Sequence, residues 1–220
     1  MAKKEKQKLN AVSKWFRTLR RAVPILYRPI FPFKKHGHTD PFTDREYIFI
    51  GNHLSVFDVV FPTISTNRAV HFMAKNVLFE KGLMKWFVNK SECILVNRDG
   101  TDVKAVMQAM KYLKKGENVA IFPEGTRNKT NERFLPFKGG ATAISIKTKT
   151  PIVPLVQVKK IRIFRKAHVL IGEPIEFTEY YDKRLTEEDI QKCDDFLRDK
   201  LSEMYDELTE ILAKKRGKKS

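Results

Sequence analysis

The central part of the chain alternates short apolar runs with stretches in which apolar residues recur every three or four positions. Residues 101–116 are of the second type, since their apolar positions have helical spacing and Gly116 provides a stop. Four apolar runs precede such stretches: YIFI (47–50), AVHFMA (69–74), CILV (93–96) and VAIF (119–122). Short buried strands that alternate with helices predict an α/β core with a largely parallel sheet flanked by helices.

Three further apolar runs follow with little room between them. These runs are IVPLVQV (152–158), KKIRIF (159–164) and AHVLIG (167–172). A parallel connection needs a crossover of about a dozen residues or more. We therefore predict that these runs are antiparallel strands that join or extend the sheet, which makes the central sheet mixed.

The two ends of the chain differ from this core. The last zone begins at Thr186, a candidate N-cap, and its helical spacing predicts a long helix followed by a basic tail. The N-terminal zone is basic and aromatic, and it carries an apolar stripe at helical spacing. The stripe consists of Leu9, Val12, Phe16, Leu19 and Val23. The predicted division is a basic amphipathic membrane-association segment (1–35), an α/β core (36–180) and a C-terminal helix with its tail (181–220).

The charge of the chain limits the kinds of partner that it is expected to bind. In 220 residues, 43 Lys and Arg against 26 Asp and Glu give a formal charge of +17, which predicts an anionic partner. Nucleic acid, an anionic membrane surface, a phosphorylated substrate and an acidic carrier protein all suit that charge. The N-terminal helix suits the membrane surface, and its alternative is a solvated basic helix that packs its stripe on the domain. No apolar run reaches the length of about 18 residues that a spanning helix needs.

Residues 51–58, GNHLSVFD, place a histidine and an aspartate directly after the apolar run at 47–50. His53 and Asp58 are too far apart in an extended chain to share a hydrogen bond, so their contact requires a strand that turns into a helix. Asp58 would then fix the imidazole tautomer and leave the other nitrogen free to take a proton from a hydroxyl. The alternative is a capping Asp58 beside a partly buried His53.

Residues 122–128, FPEGTRN, follow the run at 119–122 in the same way. Pro123 and Gly125 predict a tight turn, and Arg127 can present a planar fork to a phosphate. Glu124 could orient Arg127 or touch a substrate hydroxyl. The alternative is an ordinary surface turn with a local ion pair between these two side chains.

Taken together, these segments resemble the glycerolipid acyltransferase family, specifically the 1-acylglycerol-3-phosphate acyltransferases. Asn52, His53, Ser55 and Asp58 match the family block NHxSxxD, and residues 122–127 match its block FPEGTR. Two looser agreements are Lys75 with Arg98, and Phe137, Lys138 and Gly139 followed by PIVP (151–154). The resemblance covers residues 45–175 in the order of the family, which is more specific than any single block.

The resemblance implies roles for particular residues. His53 would be the catalytic base and Asp58 its orienting partner, while Glu124 and Arg127 would belong to the acceptor glycerophosphate site. The other implied substrate-binding residues are Asn52, Ser55, Lys75, Arg98, Gly125, Thr126 and Lys138. No metal or cofactor is needed, because acyl-CoA or acylated acyl carrier protein would bring the acyl group as a substrate. Departures from the family pattern at Val77, Glu92, Asn97 and Asn128 leave the exact acceptor open.

The reaction implied by the resemblance is transfer of an acyl group to the sn-2 hydroxyl of lysophosphatidic acid, giving phosphatidic acid. The implied location is the cytoplasmic face of a membrane, peripheral or monotopic, with an anionic lipid surface as partner. Two alternatives remain: an acyltransferase for glycerol 3-phosphate or another lysophospholipid, and a non-catalytic basic module that binds a membrane or nucleic acid. Nucleic acid is not expected, because no recognisable nucleic-acid motif accompanies the basic residues.

Overall fold

In the computed structural model, the described residues are 29–75, 92–96 and 102–217, and they form an α/β fold. Its centre is a seven-stranded mixed sheet in the order β1-β7-β6-β2-β5-β3-β4. The strands are β1 (Phe33–Gly37), β2 (Ile48–Gly51), β3 (Val70–Lys75), β4 (Ile94–Val96), β5 (Asn118–Ile121), β6 (Ile152–Val156) and β7 (Ala167–Ile171). The prediction of a mixed, largely parallel sheet with flanking helices is confirmed.

Four α-helices accompany the described strands, and their ends follow capping rules. They are α1 (Val60–Ile64), α2 (Val103–Leu113), α3 (Gly140–Thr148) and α4 (Glu187–Gly217), and a 3₁₀ turn (Val56–Val59) leads into α1. Asp102 caps α2, since its carboxylate accepts the backbone N–H of Ala105 at 3.1 Å. Thr186 begins α4, where its hydroxyl accepts the N–H of Asp189 at 3.1 Å and the Asp189 carboxylate accepts the N–H of Thr186 at 3.0 Å.

The strand directions bring several loops to one edge of the sheet. Strands β2, β3, β4, β5 and β6 are mutually parallel, whereas β7 is antiparallel to β6 and β1 is parallel to β7. The carboxyl ends of β2, β5 and β6 therefore share an edge with the start of β1. We call this edge the carboxyl edge, and it is where open α/β sheets usually bind their ligands.

The two faces of the sheet build separate cores. Alternating residues at 47–50 illustrate the division, because Ile48 and Ile50 pack with residues of α2, α3 and α4, whereas Tyr47 and Phe49 pack on the other face. The second face carries the aromatic cluster that contains Phe31. Strands β2, β5 and β6 are buried on both faces because helices or loops cover both.

Two sequence predictions differ from the structure. KKIRIF (159–164) is wrong as a strand, because Arg165 donates its N–H to the carbonyl of Arg162 at 3.2 Å and closes a tight turn there. Strand β1 is absent from the sequence prediction, since its basic side chains and the prolines before it hide the pattern of an edge strand.

Other predictions fall on residues that the structure does not describe. The amphipathic stripe within residues 1–28 and the helical pattern at 79–90 lie outside the described residues. Among the helices that are described, none combines the length and the apolar character that crossing a membrane would require.

Candidate active site

His53 and Asp58 meet where β2 leaves the carboxyl edge. Gly51 ends the strand so close to β6 that a Cβ there would lie 2.7 Å from the carbonyl oxygen of Leu155. Ser55 then caps the 3₁₀ turn, and Asp58 in that turn reaches back toward residues 53–55. The imidazole Nδ1 of His53 lies 3.1 Å from Oδ2 of Asp58. The strand therefore turns into a helical segment that brings the two side chains together.

Backbone donors hold the Asp58 carboxylate in place. Its Oδ2 also accepts the N–H groups of Leu54 at 2.7 Å and Ser55 at 2.6 Å, and the side chain is 1% exposed. A buried carboxylate that is fixed by the backbone gives the imidazole a defined orientation and favours the tautomer with its proton on Nδ1.

His53 keeps its second nitrogen available. Its ring stacks on Phe122 with centroids 4.2 Å apart and an interplanar angle of 16°. Within the described ranges, Nε2 of His53 has no hydrogen-bonding partner, and the side chain is 18% exposed. An oriented imidazole with a reachable basic nitrogen can remove a proton from a hydroxyl.

Glu124 supports His53 through the backbone. One carboxylate oxygen accepts the N–H of His53 at 3.0 Å, and the other accepts the N–H of Leu135 at 3.0 Å. Burial raises the pKa of the Glu124 carboxyl, while these two backbone hydrogen bonds lower it. With 2% exposure, Glu124 ties residue 53 to residue 135. From the sequence, the expected partner of the Glu124 carboxylate was Arg127 or a substrate hydroxyl. In the structure its partners are backbone N–H groups.

Asn52 and Ser55 are also buried and engaged. The Asn52 amide donates to the carbonyl of Gln157 at 2.8 Å and accepts the N–H of Gln157 at 3.1 Å. It thereby extends the pairing of β2 with β6 beyond the last strand residues. Ser55 accepts the N–H of Phe57 at 3.3 Å as an N-cap. Both side chains position the loop that carries His53.

The FPEGTR segment supplies an exposed cation, Arg127, to the site. Gly125 has φ of +64°, which favours glycine, and its N–H bonds the carbonyl of Phe122 at 2.9 Å. The Lys138 side chain passes so close that a Cβ on Gly125 would lie 3.1 Å from its methylene carbons. Thr126, Arg127 and the Lys138 side chain are exposed beside this turn.

The remaining predicted site residues are Lys75 and Arg98. Lys75 ends β3 at the carboxyl edge, but its side chain lies outside the described part of the structure. Arg98 lies outside the described residues altogether. Their proposed phosphate contacts stay predictions.

Sequence reasoning missed Phe122, Asn128 and Gln157. Asn128 donates its N–H to the carbonyl of His53 at 2.7 Å, which ties the FPEGTR segment to the His53 segment. Gln157 lines a cavity of about 10 Å³ together with Asp58. In the described structure, Oδ1 of Asp58 and both polar atoms of the Gln157 side chain are buried without a partner. The only available signal was position, since each residue follows or borders a predicted strand end.

The described residues contain no group of three or more His, Cys, Asp and Glu side chains suited to a metal ion. His36 and His168 form a separate pair on β1 and β7, with Nε2 of His36 2.9 Å from Nδ1 of His168. Strand β6 lies between that pair and β2, which carries the His53 segment.

The fold and these segments have counterparts among known proteins. The structure is similar to the crystal structure of the 1-acyl-sn-glycerophosphate acyltransferase from Thermotoga maritima, with a TM-score of 0.64 and 23% sequence identity. The match covers 95% of this chain and 84% of that chain. It shows that the two proteins share a fold.

Curated relatives carry a consistent name. The chain is 32% identical over 135 residues to the 1-acyl-sn-glycerol-3-phosphate acyltransferase BAT2 of Brassica napus, covering 57% of this chain and 38% of the relative. A protein of the same activity name from Helicobacter pylori is 32% identical over 121 residues, covering 53% and 50%. One from Bacillus subtilis is 33% identical over 111 residues, covering 48% and 54%. The chain thus spans about half the length of these relatives or less.

The central part of the chain also matches a model of a protein family. The model described as Acyltransferase matches residues 32–158, which include the His53 segment, the FPEGTR segment and all strands from β2 to β6. That range is more than half of the 220 residues. The chain belongs to the acyltransferase family.

Proposed function

We propose that this protein transfers a fatty acyl group from a thioester to the sn-2 hydroxyl of 1-acylglycerol 3-phosphate, and that the product is phosphatidic acid. The observation that carries the proposal is the His53–Asp58 pair, whose contact at 3.1 Å leaves one imidazole nitrogen facing a partly open edge. The names of the curated relatives support this choice of acceptor.

His53 acts as the general base in this mechanism. Its Nε2 removes the proton of the acceptor hydroxyl as the oxygen attacks the thioester carbonyl carbon, and Asp58 stabilises the imidazolium that results. The tetrahedral intermediate then collapses, the new ester keeps the acyl group, and the C–S bond breaks. The imidazolium returns the proton to the leaving thiolate, so the products are the diacylated lipid and a free thiol.

Arg127 binds the acceptor phosphate. Its guanidinium is exposed at the carboxyl edge, two residues after the Gly125 turn, and it has no ion-pair partner among the described residues. A planar guanidinium can hold two phosphate oxygens at once, which converts binding energy into alignment of the hydroxyl. Lys138 lies beside the same turn and adds a second cation. Glu124, Asn52 and Ser55 act by holding the backbone around His53.

The proposed function also includes an acyl donor and a position at a membrane. The donor is acyl-CoA or acylated acyl carrier protein, which are both anionic and suit the formal charge of +17. The enzyme works without a resident cofactor at the cytoplasmic face of a membrane, as a peripheral or monotopic protein. Residues 1–35 attach it to the anionic lipid surface.

The test is a panel of acceptors and donors with release of free thiol as the readout. We expect turnover with lysophosphatidic acid, and we expect Arg127→Ala to raise its KM by about 10- to 100-fold with folding unchanged. Turnover only with glycerol 3-phosphate or with a different lysophospholipid would replace the proposed acceptor. Absence of thiol release with every donor, from protein that binds lipid normally, would favour the non-catalytic alternative.

A further inference from the structure

Five exposed apolar side chains gather at the carboxyl edge, next to the His53 segment. They are Ile30 (42% exposed), Val56 (48%), Phe57 (39%), Ile163 (57%) and Phe164 (76%). Contacts show that the three segments adjoin, because the rings of Phe31 and Phe57 lie 4.5 Å apart and Phe164 donates its N–H to the carbonyl of Ile30 at 2.7 Å. We call this set of five residues the apolar edge patch.

The turn between β6 and β7 forms the tip of this patch. Strands β6 and β7, which this turn joins, are antiparallel. The buried side chain of Ile161 anchors the turn in the core that contains the aromatic cluster. Ile163 and Phe164 extend beyond the bridge that joins Arg162 to Arg165. Hydrophobic burial within the described chain therefore does not explain why two large apolar residues occupy this tip.

Phe164 is also an unusual residue for its backbone position. Its φ is +55°, a left-handed conformation that glycine and asparagine adopt more readily than a bulky aromatic residue. A strained residue that is also the most exposed large apolar side chain of the described structure suggests a function outside the fold.

Basic side chains surround the tip. Between Gln157 and Gly172 the sequence has no acidic residue, and its five Lys and Arg side chains are all exposed. They are Lys159, Lys160, Arg162, Arg165 and Lys166. Apolar tips enter the boundary between headgroups and acyl chains, while neighbouring cations bind the lipid phosphates. A second copy of this chain fits poorly, because a two-fold contact would place the same cations against one another.

We propose that the apolar edge patch and its five surrounding cations form a docking surface for an anionic lipid bilayer, with Ile163 and Phe164 inserted. Val56 and Phe57 lie in the 3₁₀ turn that carries Asp58, so the same contact places His53 at the lipid surface. An acceptor lipid could then present its hydroxyl without leaving the bilayer. The choice of a bilayer as partner rests on the proposed function, but the contact itself is measured without turnover.

The first test compares vesicle sedimentation of full-length variants, using vesicles of phosphatidylcholine with phosphatidylglycerol. We expect Phe164→Asn to weaken binding about tenfold and Ile163→Ser with Phe164→Asn to weaken it further. The thermal midpoint should stay equal or rise, because asparagine accepts the left-handed backbone. The matched control is Val103→Gln with Met107→Gln, an equally exposed apolar pair on α2 at the opposite face of the sheet, which should bind like the parent.

The second test concerns charge. Neutralising Lys159, Arg165 and Lys166 to Gln should weaken binding to anionic vesicles by about fivefold for each charge, with little change on pure phosphatidylcholine. Neutralising Lys104, Lys111 and Lys114 of the α2 region removes the same net charge, and it should weaken binding much less. Equal losses for the two sets would mean that only net charge matters, and they would overturn the proposal.

A third measurement identifies the occupant of the patch. Phe164→Trp should gain fluorescence quenching by brominated lipids over the parent, whereas Met107→Trp should not. No gain at position 164, together with unchanged sedimentation of Phe164→Asn, would overturn the docking surface and leave the acyl-transfer proposal untouched.

The emission of Phe164→Trp without vesicles tests whether the patch is already covered. If the emission that Phe164→Trp adds is already shifted to the blue without vesicles, the docking surface is overturned too. A shift that grows with protein concentration would identify a second copy, and a constant shift would identify cover by the chain itself.

Discussion

His53 and His71 both contact a carboxylate and stack on an aromatic ring, but only His71 has a hydrogen-bonding partner on both ring nitrogens among the described residues. His71 contacts Glu117 at 2.8 Å through Nε2 and the carbonyl of Glu92 at 3.1 Å through Nδ1, and its side chain is 1% exposed. Its ring stacks on Tyr112 at 3.6 Å. The side chain of His53 is 18% exposed, and its Nε2 has no partner in the described ranges. A histidine beside a carboxylate becomes a candidate base only when one nitrogen remains available.

Position in the sheet explains this difference. His71 lies near the start of β3, where its backbone pairs with Val119 of β5 inside the sheet. His53 follows the end of β2, beyond the last ladder residue at the carboxyl edge. A residue inside a strand is enclosed by neighbouring strands and helices, whereas a residue just past the strand can face a ligand.

Exchange of each histidine for glutamine should have opposite effects on turnover and stability. His53→Gln should lower acyl transfer by about 10³-fold because the base is lost, with the free energy of unfolding nearly unchanged. His71→Gln should keep the turnover of the folded protein but lower the free energy of unfolding by about 2 kcal/mol, because the buried imidazole and its two partly buried partners lose their hydrogen bonds. Thiol release and urea unfolding measure the two quantities, and the reverse pattern would contradict the assignment.

The carboxylates provide a second, smaller contrast. Asp58→Asn should lower turnover by about 10²-fold, since an amide no longer selects the tautomer of His53, although its oxygen can still accept the N–H groups of Leu54 and Ser55. Glu117→Gln should leave turnover within about twofold of the parent. Equal effects of the two changes on kcat would show that Asp58 acts only as a helix cap.

Glu124→Gln tests how strongly the backbone of His53 depends on its support. One amide oxygen can still accept an N–H, but the amide nitrogen would face the other donor, so we expect about a tenfold loss of kcat and about 1–2 kcal/mol less stability. A loss of stability with an unchanged kcat would contradict the role of Glu124 in positioning His53. Glu132→Gln, an exposed carboxylate in the neighbouring loop, serves as the control.

A third histidine environment concerns the pH dependence of stability and not turnover. Burial, then His36 and the nearby lysines, lower the pKa of His168 from 6.5 to about 4. Between pH 6.5 and about 4, residue 168 binds a proton in the unfolded chain but not in the folded chain. The free energy of unfolding should therefore fall as the pH falls through this range. His168→Gln should flatten that slope in urea titrations. An unchanged slope in His168→Gln would assign it to other groups.

Much of the core could be read from periodicity. The runs at 47–50, 69–74, 93–96 and 119–122 are strands, and the run at 152–158 contains β6. Strands β2, β5 and β6 are buried on both faces, so their sequence is largely apolar and easily recognised. Strand β1 and the turn at 162–165 were not recognised, because an edge strand and an exposed apolar turn both depart from the pattern of a buried core.

The candidate site was predictable in its residues and less so in its contacts. The turn that joins His53 to Asp58 followed from their spacing after a strand, and the structure has that turn. Glu124 and Asn52 were expected to face a substrate, whereas their buried polar atoms bind backbone groups of residues 53, 135 and 157. Sequence spacing cannot show that choice, since both partners come from distant positions in the chain.

Periodicity and composition are local properties, so the amino-acid pattern alone specifies most of the buried strands, the residue types that follow them and the excess of positive charge. Contacts made only in the folded chain specify which of two histidine–carboxylate pairs keeps an available nitrogen and which apolar residues stay exposed. Those outcomes depend on strand order, since the direction of β6 and β7 brings the turn at 158–166 beside the His53 segment. Contacts between distant segments arise only when the sheet assembles.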